Sequence, residues 1–318
     1  MKVDCCKKMQ NTKTVSIIGA GHSGSTLLDL VLGKHSSIFS VGEISSWDRY
    51  IEEKKECTCG LPIESCEFWK PIVAQLEDSF ATSDSHVKYV DTRSPTMRGA
   101  LNRLRYRTCL LLVLLFPMHK YRNFMDRISP ELKHRIINNI NLFELIRESS
   151  GKPIVCDSSK SAFKFRLLYA REPETAKAIF LTRDGRAVAA SHHTRYGKSI
   201  NRGAMRWLFT NKYTEYMLRT LPDHAFIHVR YEELCRDPEA TLNRIYQFIG
   251  CPFDPNVLQF NDNEIKHNIS GNRMRMNGLS EIKEDLKWRE RLTEEQIKTF
   301  NKLAGKTNRK LLGSHMVV

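Results

Sequence analysis

No apolar run in these 318 residues is long enough to cross a bilayer. The longest, Cys109–Phe116, is closed by Pro117 after eight residues, against the roughly 20 that a spanning helix needs. A buried helix segment is the plainer reading of it; Arg103, Arg105 and Arg107 just ahead leave open a contact with a membrane surface or a substrate. Nor is there an apolar stretch before Val15. Met1 to Lys13 is polar, carries Cys5 and Cys6, and does not read as a secretion signal. Acidic residues are in deficit: 36 Asp plus Glu stand against 50 Lys plus Arg, a formal net charge of +14. Such a balance favours anionic partners, whether nucleic acid, acidic membrane or a phosphorylated small molecule, and also suits a soluble protein with a scattered basic surface. The nine cysteines are odd in number and follow no disulfide framework, so reduced thiols and a cytoplasmic location are expected. Internal repeats and low-complexity tracts are absent as well.

What is present is a core-forming composition, 41% hydrophobic, and an alternation of strands with helices. Thr14 to Ile18 has the β-branched, apolar character of a buried strand, and Leu27, Leu28, Val31 and Leu32 recur at helical spacing from Ser25 onward. Further strands are expected at Ile38–Val41, Pro153–Cys156, Ala178–Leu181 and Phe226–Val229. Helices are expected at Pro130–Glu148, Ala162–Tyr169, Arg186–Thr194, Ala204–Thr220 and Glu239–Ile249. That order predicts an α/β fold: a P-loop-like parallel sheet flanked by helices on both faces. Residues 52–128 lack convincing strands and predict a helical and loop insertion, a lid within one domain spanning 1–318.

The loop after the first strand, Gly19-Ala20-Gly21-His22-Ser23-Gly24-Ser25-Thr26, satisfies more than one pattern. Gly19, Gly21 and Gly24 spell the dinucleotide fingerprint, and Glu43 follows Gly24 at the distance where an NAD or FAD oxidoreductase keeps a ribose-binding acid. Gly19 and Gly24 also frame a P-loop, but Ser25 stands where the phosphate-binding Lys of a nucleoside triphosphatase belongs, which argues against a kinase or ATPase. A third reading keeps the cradle for one 5′-phosphate with its sulfuryl group, held by backbone N–H groups and by the hydroxyls of Ser23, Ser25 and Thr26. On His22-Ser23-Gly24-Ser25-Thr26-Leu27-Leu28 the chain resembles the superfamily of sulfotransferases that use 3′-phosphoadenosine 5′-phosphosulfate (PAPS) and release PAP. The likeness is to bacterial-type members, with some to tyrosylprotein sulfotransferases. His22 departs from the Arg or Lys common there. In contact with phosphate it must be protonated or donate from a neutral tautomer; alternatively it helps deprotonate the acceptor.

Later segments extend the resemblance. In Phe180-Leu181-Thr182-Arg183-Asp184-Gly185-Arg186 and on to Ser191, an Arg ends a strand and a Ser follows eight positions later. The resemblance implies that Arg183 and Ser191 bind the 3′-phosphate, a task for which a guanidinium fork and a hydroxyl are suited. Arg195 is expected to reach the same group. Tyr231, in Val229-Arg230-Tyr231-Glu232-Glu233-Leu234, either lies against the nucleotide or fills the core. Asn272, Arg273 and Arg275, in Ser270-Gly271-Asn272-Arg273-Met274-Arg275, form either a basic loop closing the donor site or an ordinary surface loop. A dehydrogenase leaves these later segments without a task.

Sulfuryl transfer needs a base, a cation near the bridging oxygen, and a rigid cradle. By the same resemblance Glu43 is the expected base, Lys160 the expected cation, and Asp157 either orients Lys160 or caps a helix opening there. Cys57, Cys59 and Cys66 are three thiols, one short of a zinc site, so no metal is expected; a disulfide or packing around Phe68 and Trp69 accounts for them. The acceptor is expected to be a small molecule with a hydroxyl or amine, with protein tyrosine and carbohydrate as alternatives. Neither nucleic acid nor a membrane span is expected.

Overall fold

The computed structural model describes residues 12–81, 126–127, 129–260, 267–272 and 274–313. Five strands, β1 (Thr14–Gly19), β2 (Ile38–Gly42), β3 (Ile154–Lys160), β4 (Ala176–Thr182) and β5 (Phe226–Arg230), form one parallel sheet in the order β2-β3-β1-β4-β5. The strands alternate side chains between two apolar layers. Ile18, Phe39, Val155, Ala178 and Phe180 face one, and Val15, Ile17, Ile154, Ile179, Leu181 and Val229 face the other. Both faces being buried explains why the strands are largely apolar.

The principal helices are α1 (Ser25–Leu32), α2 (Trp47–Glu52), α3 (Trp69–Ala81), α4 (Pro130–Ser150), α5 (Ala162–Tyr169), α6 (Gly185–Tyr196), α7 (Ile200–Leu218), α8 (Tyr231–Arg236), α9 (Pro238–Ile249) and α10 (Glu294–Leu312). Residues of α4 to α7 and α10 fill the first layer with Phe143, Phe165, Val188, Trp207 and Phe300. Residues of α1, α8 and α9 fill the second with Leu28, Leu234 and Ile245. The expected α/β sheet with helices on both faces is therefore the observed one. No helix among the described residues is long and apolar enough to cross a membrane.

The chain enters the sheet at its centre with β1, crosses to β2, returns through β3, and only then moves to the other side with β4. The turns after β1 and β4 thus leave the same edge in opposite directions, which opens a crevice at the carboxyl ends of these strands. Some details differ from expectation. β3 runs on through Lys160, so Lys160 ends a strand and the helix cap falls to Ser161, whose side chain accepts from Lys164 N. Asp157 does not cap; it is buried inside β3 and pairs with Lys164 at 3.0 Å. Helix α10, absent from the strand-and-helix order expected above, starts with a complete capping box between Thr293 and Gln296. Of the segment 52–128, the described part holds α3 and a short turn at Ile63–Ser65. The run Cys109–Phe116 and its flanking arginines lie outside the described residues.

Candidate active site

A cleft of about 1110 Å³ lies along the carboxyl edge of the sheet. Every strand end contributes to it: the loop after β1, Glu43 after β2, Lys160 at the end of β3, Arg183 after β4 and Tyr231 after β5. Among the described residues, nine Lys or Arg side chains line it against three acids. The cleft is thus a basic trough suited to a multiply charged anion.

The loop at its floor is shaped by close approaches. Gly19 carries φ +136, and a Cβ there would meet the Leu181 carbonyl oxygen at 2.4 Å. Gly24, at φ +87, is the N-cap of α1 and gives it no side-chain cap. Ser23 is 1% exposed and its hydroxyl has no protein partner. An uncapped helix N-terminus beside an orphaned buried hydroxyl fits an anion held by N–H and O–H donors. Ser25 is buried in the first turn of α1, and the Thr26 hydroxyl accepts from Asn272 N at 3.3 Å.

Arg183 is 7% exposed and ties the two halves of the cleft together. Its guanidinium donates to the His22 carbonyl at 3.2 Å and to the Asp285 carbonyl at 2.8 Å, and lies 4.4 Å over the Tyr231 ring. The turn it begins is clamped from behind. Asp184 N donates to Glu232 at 2.8 Å, Gly185 N to Asn308 at 2.7 Å, and the Trp207 indole to the Arg183 carbonyl at 3.2 Å. Asp184 caps α6 through Arg186 N. Ser191 and Arg195 lie on successive turns of this helix and both line the cleft, Arg195 exposed. Tyr231 is a core residue, 5% exposed within the second apolar layer, and its ring packs on Gly24 at the cleft wall. Its hydroxyl donates to the Lys283 carbonyl at 3.1 Å.

At the opposite end, Glu43 and Lys160 form an ion pair at 2.5 Å. Lys160 holds φ +65 at the strand end, a left-handed conformation that non-glycine residues seldom adopt. Glu43 is fixed through its backbone, Glu43 N donating to the Ser270 carbonyl at 3.3 Å. His22 sits between the two ends at φ +66, edge-on to His192 and Tyr196. Burial, then the charges of Arg195, His192, Lys160 and Arg183, push its pKa down to about 4. Of the two forms considered from the sequence, the neutral imidazole is the one this environment favours near neutral pH, and the protonated one is disfavoured.

The basic loop is only partly where it was expected. Asn272 lines the cleft, Arg273 lies outside the described residues, and Arg275 is turned elsewhere. Its guanidinium donates to the Asn268 carbonyl at 2.8 Å and the Glu56 carbonyl at 3.0 Å, so it clasps the loop to the segment after α2. Sequence reasoning missed Asp285, which pairs with Arg183. It also missed Arg202 and Arg206 of α7, and His192, whose ring is buried against the cleft. None of these carries a local motif; only the packing of α7 and the 283–285 strand of chain against the sheet edge brings them in. The cysteines have a neighbour that the sequence did not show. The fourth donor that three thiols lacked is present, because His267 Nδ1 stands 3.2 Å from Cys66 Sγ and 3.7 Å from Cys57 Sγ. No disulfide joins these thiols.

A parallel sheet with an anion cradle and an arginine clamp at its carboxyl edge defines an α/β protein built to hold a phosphorylated ligand. The sequence profile of the sulfotransferase family matches residues 88–255, more than half of the chain, and the chain belongs to that family. The enzyme class expected from the two phosphate motifs, sulfuryl transfer, is the one this family carries. Among solved structures, the sulfotransferase domain from the Synechococcus PCC 7002 olefin synthase shares the fold, with a TM-score of 0.51 and 18% identity over 92% of this chain and 95% of that one. The sulfotransferase domain from the curacin biosynthetic pathway gives 0.48 and 17% over 93% and 97%. The sulfotransferase STF9 from Mycobacterium avium gives 0.47 and 12% over 96% and 78%. No curated protein sequence matches the chain.

Proposed function

We propose that this enzyme moves the sulfuryl group of PAPS to a hydroxyl or amine of a small-molecule acceptor, with Glu43 as base and Lys160 as the cation beside the transferring group. The observation that carries the reading is the Glu43–Lys160 pair at 2.5 Å, set on the same strand edge as the uncapped loop Ser23–Thr26. The loop and α1 N-terminus take the 5′-phosphosulfate; Arg183, Ser191 and Arg195 take the 3′-phosphate; Tyr231 and Asn272 flank the nucleotide. Glu43 accepts the proton of the acceptor as its oxygen or nitrogen bonds to sulfur. The bond from sulfur to the bridging oxygen breaks in line, and Lys160 offsets the charge left on PAP. PAP is a stable anion, so its departure needs no prior protonation. His22, neutral, donates a hydrogen bond rather than a charge.

Calorimetric titration of PAP, with 5′-AMP and NAD as controls, tests the donor. Saturable PAP binding with much weaker 5′-AMP binding is expected. NAD binding in its place would restore the dinucleotide interpretation of Gly19, Gly21 and Gly24 and end this one. Arg183→Ala is expected to weaken PAP by about tenfold or more, the scale of a hydrogen bond to a charged group. Glu43→Ala should leave PAP affinity near wild type and lower turnover by roughly 10²-fold or more; normal turnover in that variant would remove Glu43 as the base.

A further inference from the structure

We propose that Cys57, Cys59, Cys66 and His267 bind one structural Zn²⁺ through three thiolates and an imidazole, and that this metal fastens the 267–272 segment over the donor cleft. The three sulfurs and a ring nitrogen of His267 all lie within 4.8 Å of one another. In a tetrahedral zinc site, Zn–S near 2.3 Å and Zn–N near 2.0 Å place neighbouring ligand atoms roughly 3.5–3.8 Å apart. The Cys57–His267 and Cys66–His267 distances, 3.7 and 3.2 Å, are already at that scale. Four protein donors leave no open position for substrate, which is the mark of a structural rather than a catalytic metal.

The backbone around the cluster is arranged to present these atoms. Gly60, at φ +87, turns the chain so that Gly60 N donates to the Cys57 carbonyl at 2.9 Å, and Cys57 N donates to the Leu61 carbonyl at 2.9 Å. This tight turn brings Cys57 and Cys59 to one side, and the short turn Ile63–Ser65 returns Cys66 to them. His267 comes from far along the chain and is held in place by other atoms than its Nδ1. Its carbonyl accepts from the Trp69 indole at 2.7 Å, its ring stacks on Phe68 at 5.3 Å, and its φ is +44. A disulfide would use two of the three sulfurs and give the histidine no task. A zinc ion uses all four groups.

The cluster has a position that matters to the cleft. Thr58 N donates to the Asn268 carbonyl at 3.0 Å and Asn268 N to the Thr58 hydroxyl at 2.9 Å, directly beside the ligands. Two residues on, the Ser270 carbonyl receives Glu43 N, and Asn272 N reaches Thr26. The metal would therefore anchor the strip of chain that touches both the expected base and the phosphosulfate loop.

Metal content is read independently of any sulfotransferase activity, so failure of this proposal and failure of the PAPS reading are distinguishable. The full chain, purified after growth with zinc and without chelators, is expected to hold about one zinc per chain by plasma mass spectrometry. Cobalt-exchanged protein should show thiolate-to-cobalt charge-transfer absorption and the d–d bands of tetrahedral geometry. Cys59→Ser alters the most accessible thiol, and His267→Ala the distant ligand; each is expected to lose most of the metal. Calorimetry with PAP before and after zinc removal should show several-fold weaker binding in the stripped protein. Zinc far below stoichiometry in the wild type, cobalt spectra without thiolate bands, zinc retained in both variants, or a Cys57–Cys66 disulfide in peptide mapping would each overturn the site. Unchanged PAP affinity after stripping would overturn its fastening role.

Discussion

A methyl group at Gly24 would come within 2.4 Å of Tyr231 Cδ2, and the backbone there sits at φ +87. Both constraints act at once: the left-handed conformation costs a non-glycine residue about 1 kcal/mol or more, and the ring behind cannot recede because it fills the second apolar layer. Gly24→Ala is therefore expected to lower stability by about 1–3 kcal/mol and to tilt the first turn of α1, weakening PAP binding with it. Gly21 is the internal contrast, since a Cβ there meets nothing within 4 Å; Gly21→Ala should stay within about 0.5 kcal/mol of wild type in denaturant unfolding. Equal stability losses in the two variants would show that the Tyr231 contact does not set the loop. This part of the site was legible in the sequence because glycine spacing reports backbone shape. The ring that makes Gly24 necessary was not, because it stands on the chain more than two hundred residues later.

At the scale of elements, the end of β3 is supported by a buried charge pair. Asp157 and Lys164 are 2% and 3% exposed at their side chains and 3.0 Å apart, with the Lys164 ammonium 5.2 Å from the Phe143 ring of α4. Asp157 also accepts from Ser159 N at 3.0 Å and from the Ser159 hydroxyl, and that hydroxyl in turn accepts from Ser45 N at 3.0 Å. The pair thus braces the backbone on either side of the Glu43–Lys160 contact. Lys164→Met would leave an uncompensated buried carboxylate, and a loss of about 3–5 kcal/mol is expected. Asp157→Asn combined with Lys164→Met should recover much of it. A double variant as unstable as the single one would mean that packing of the lysine stem, not the charge, is what matters. The strands and the helices α1, α5 and α9 could be read from apolar runs and periodicity, since their burial is set by neighbours along the same element. Long-range partners could not. Asn308 of α10 holds the Gly185 amide, and His267 reaches Cys66 across 201 positions; neither residue sits in a pattern that announces its partner.

Over the whole molecule, the buried Asp29 and the half-buried His22 set opposing dependences of stability on pH. Asp29 joins α1 to β2 and to the 267–272 segment, accepting from Asn268 Nδ2 at 2.9 Å, and burial raises its pKa from 3.8 to about 7. Its folded form binds a proton more tightly than its unfolded form. The stability this gives is full below 3.8 and is lost as pH rises through about 7. His22 acts with the other sign. Its pKa falls from 6.5 to about 4, so the unfolded chain takes up a proton first, and stability is lost as pH falls across that interval. The two slopes overlap between about pH 4 and 6.5 and partly cancel. Above about pH 6.5 the His22 slope is spent, while the Asp29 slope continues to about pH 7. Asp29→Asn keeps a neutral group of the same shape and removes the ionisation. The variant is expected to be more stable than wild type by about 1–3 kcal/mol near pH 8, and by much less near pH 5. Calorimetric unfolding across that range checks it. A difference between the two proteins that does not change with pH would show that Asp29 stays in one protonation state, and that the junction of α1, β2 and the 267–272 segment carries its charge at no cost to the fold.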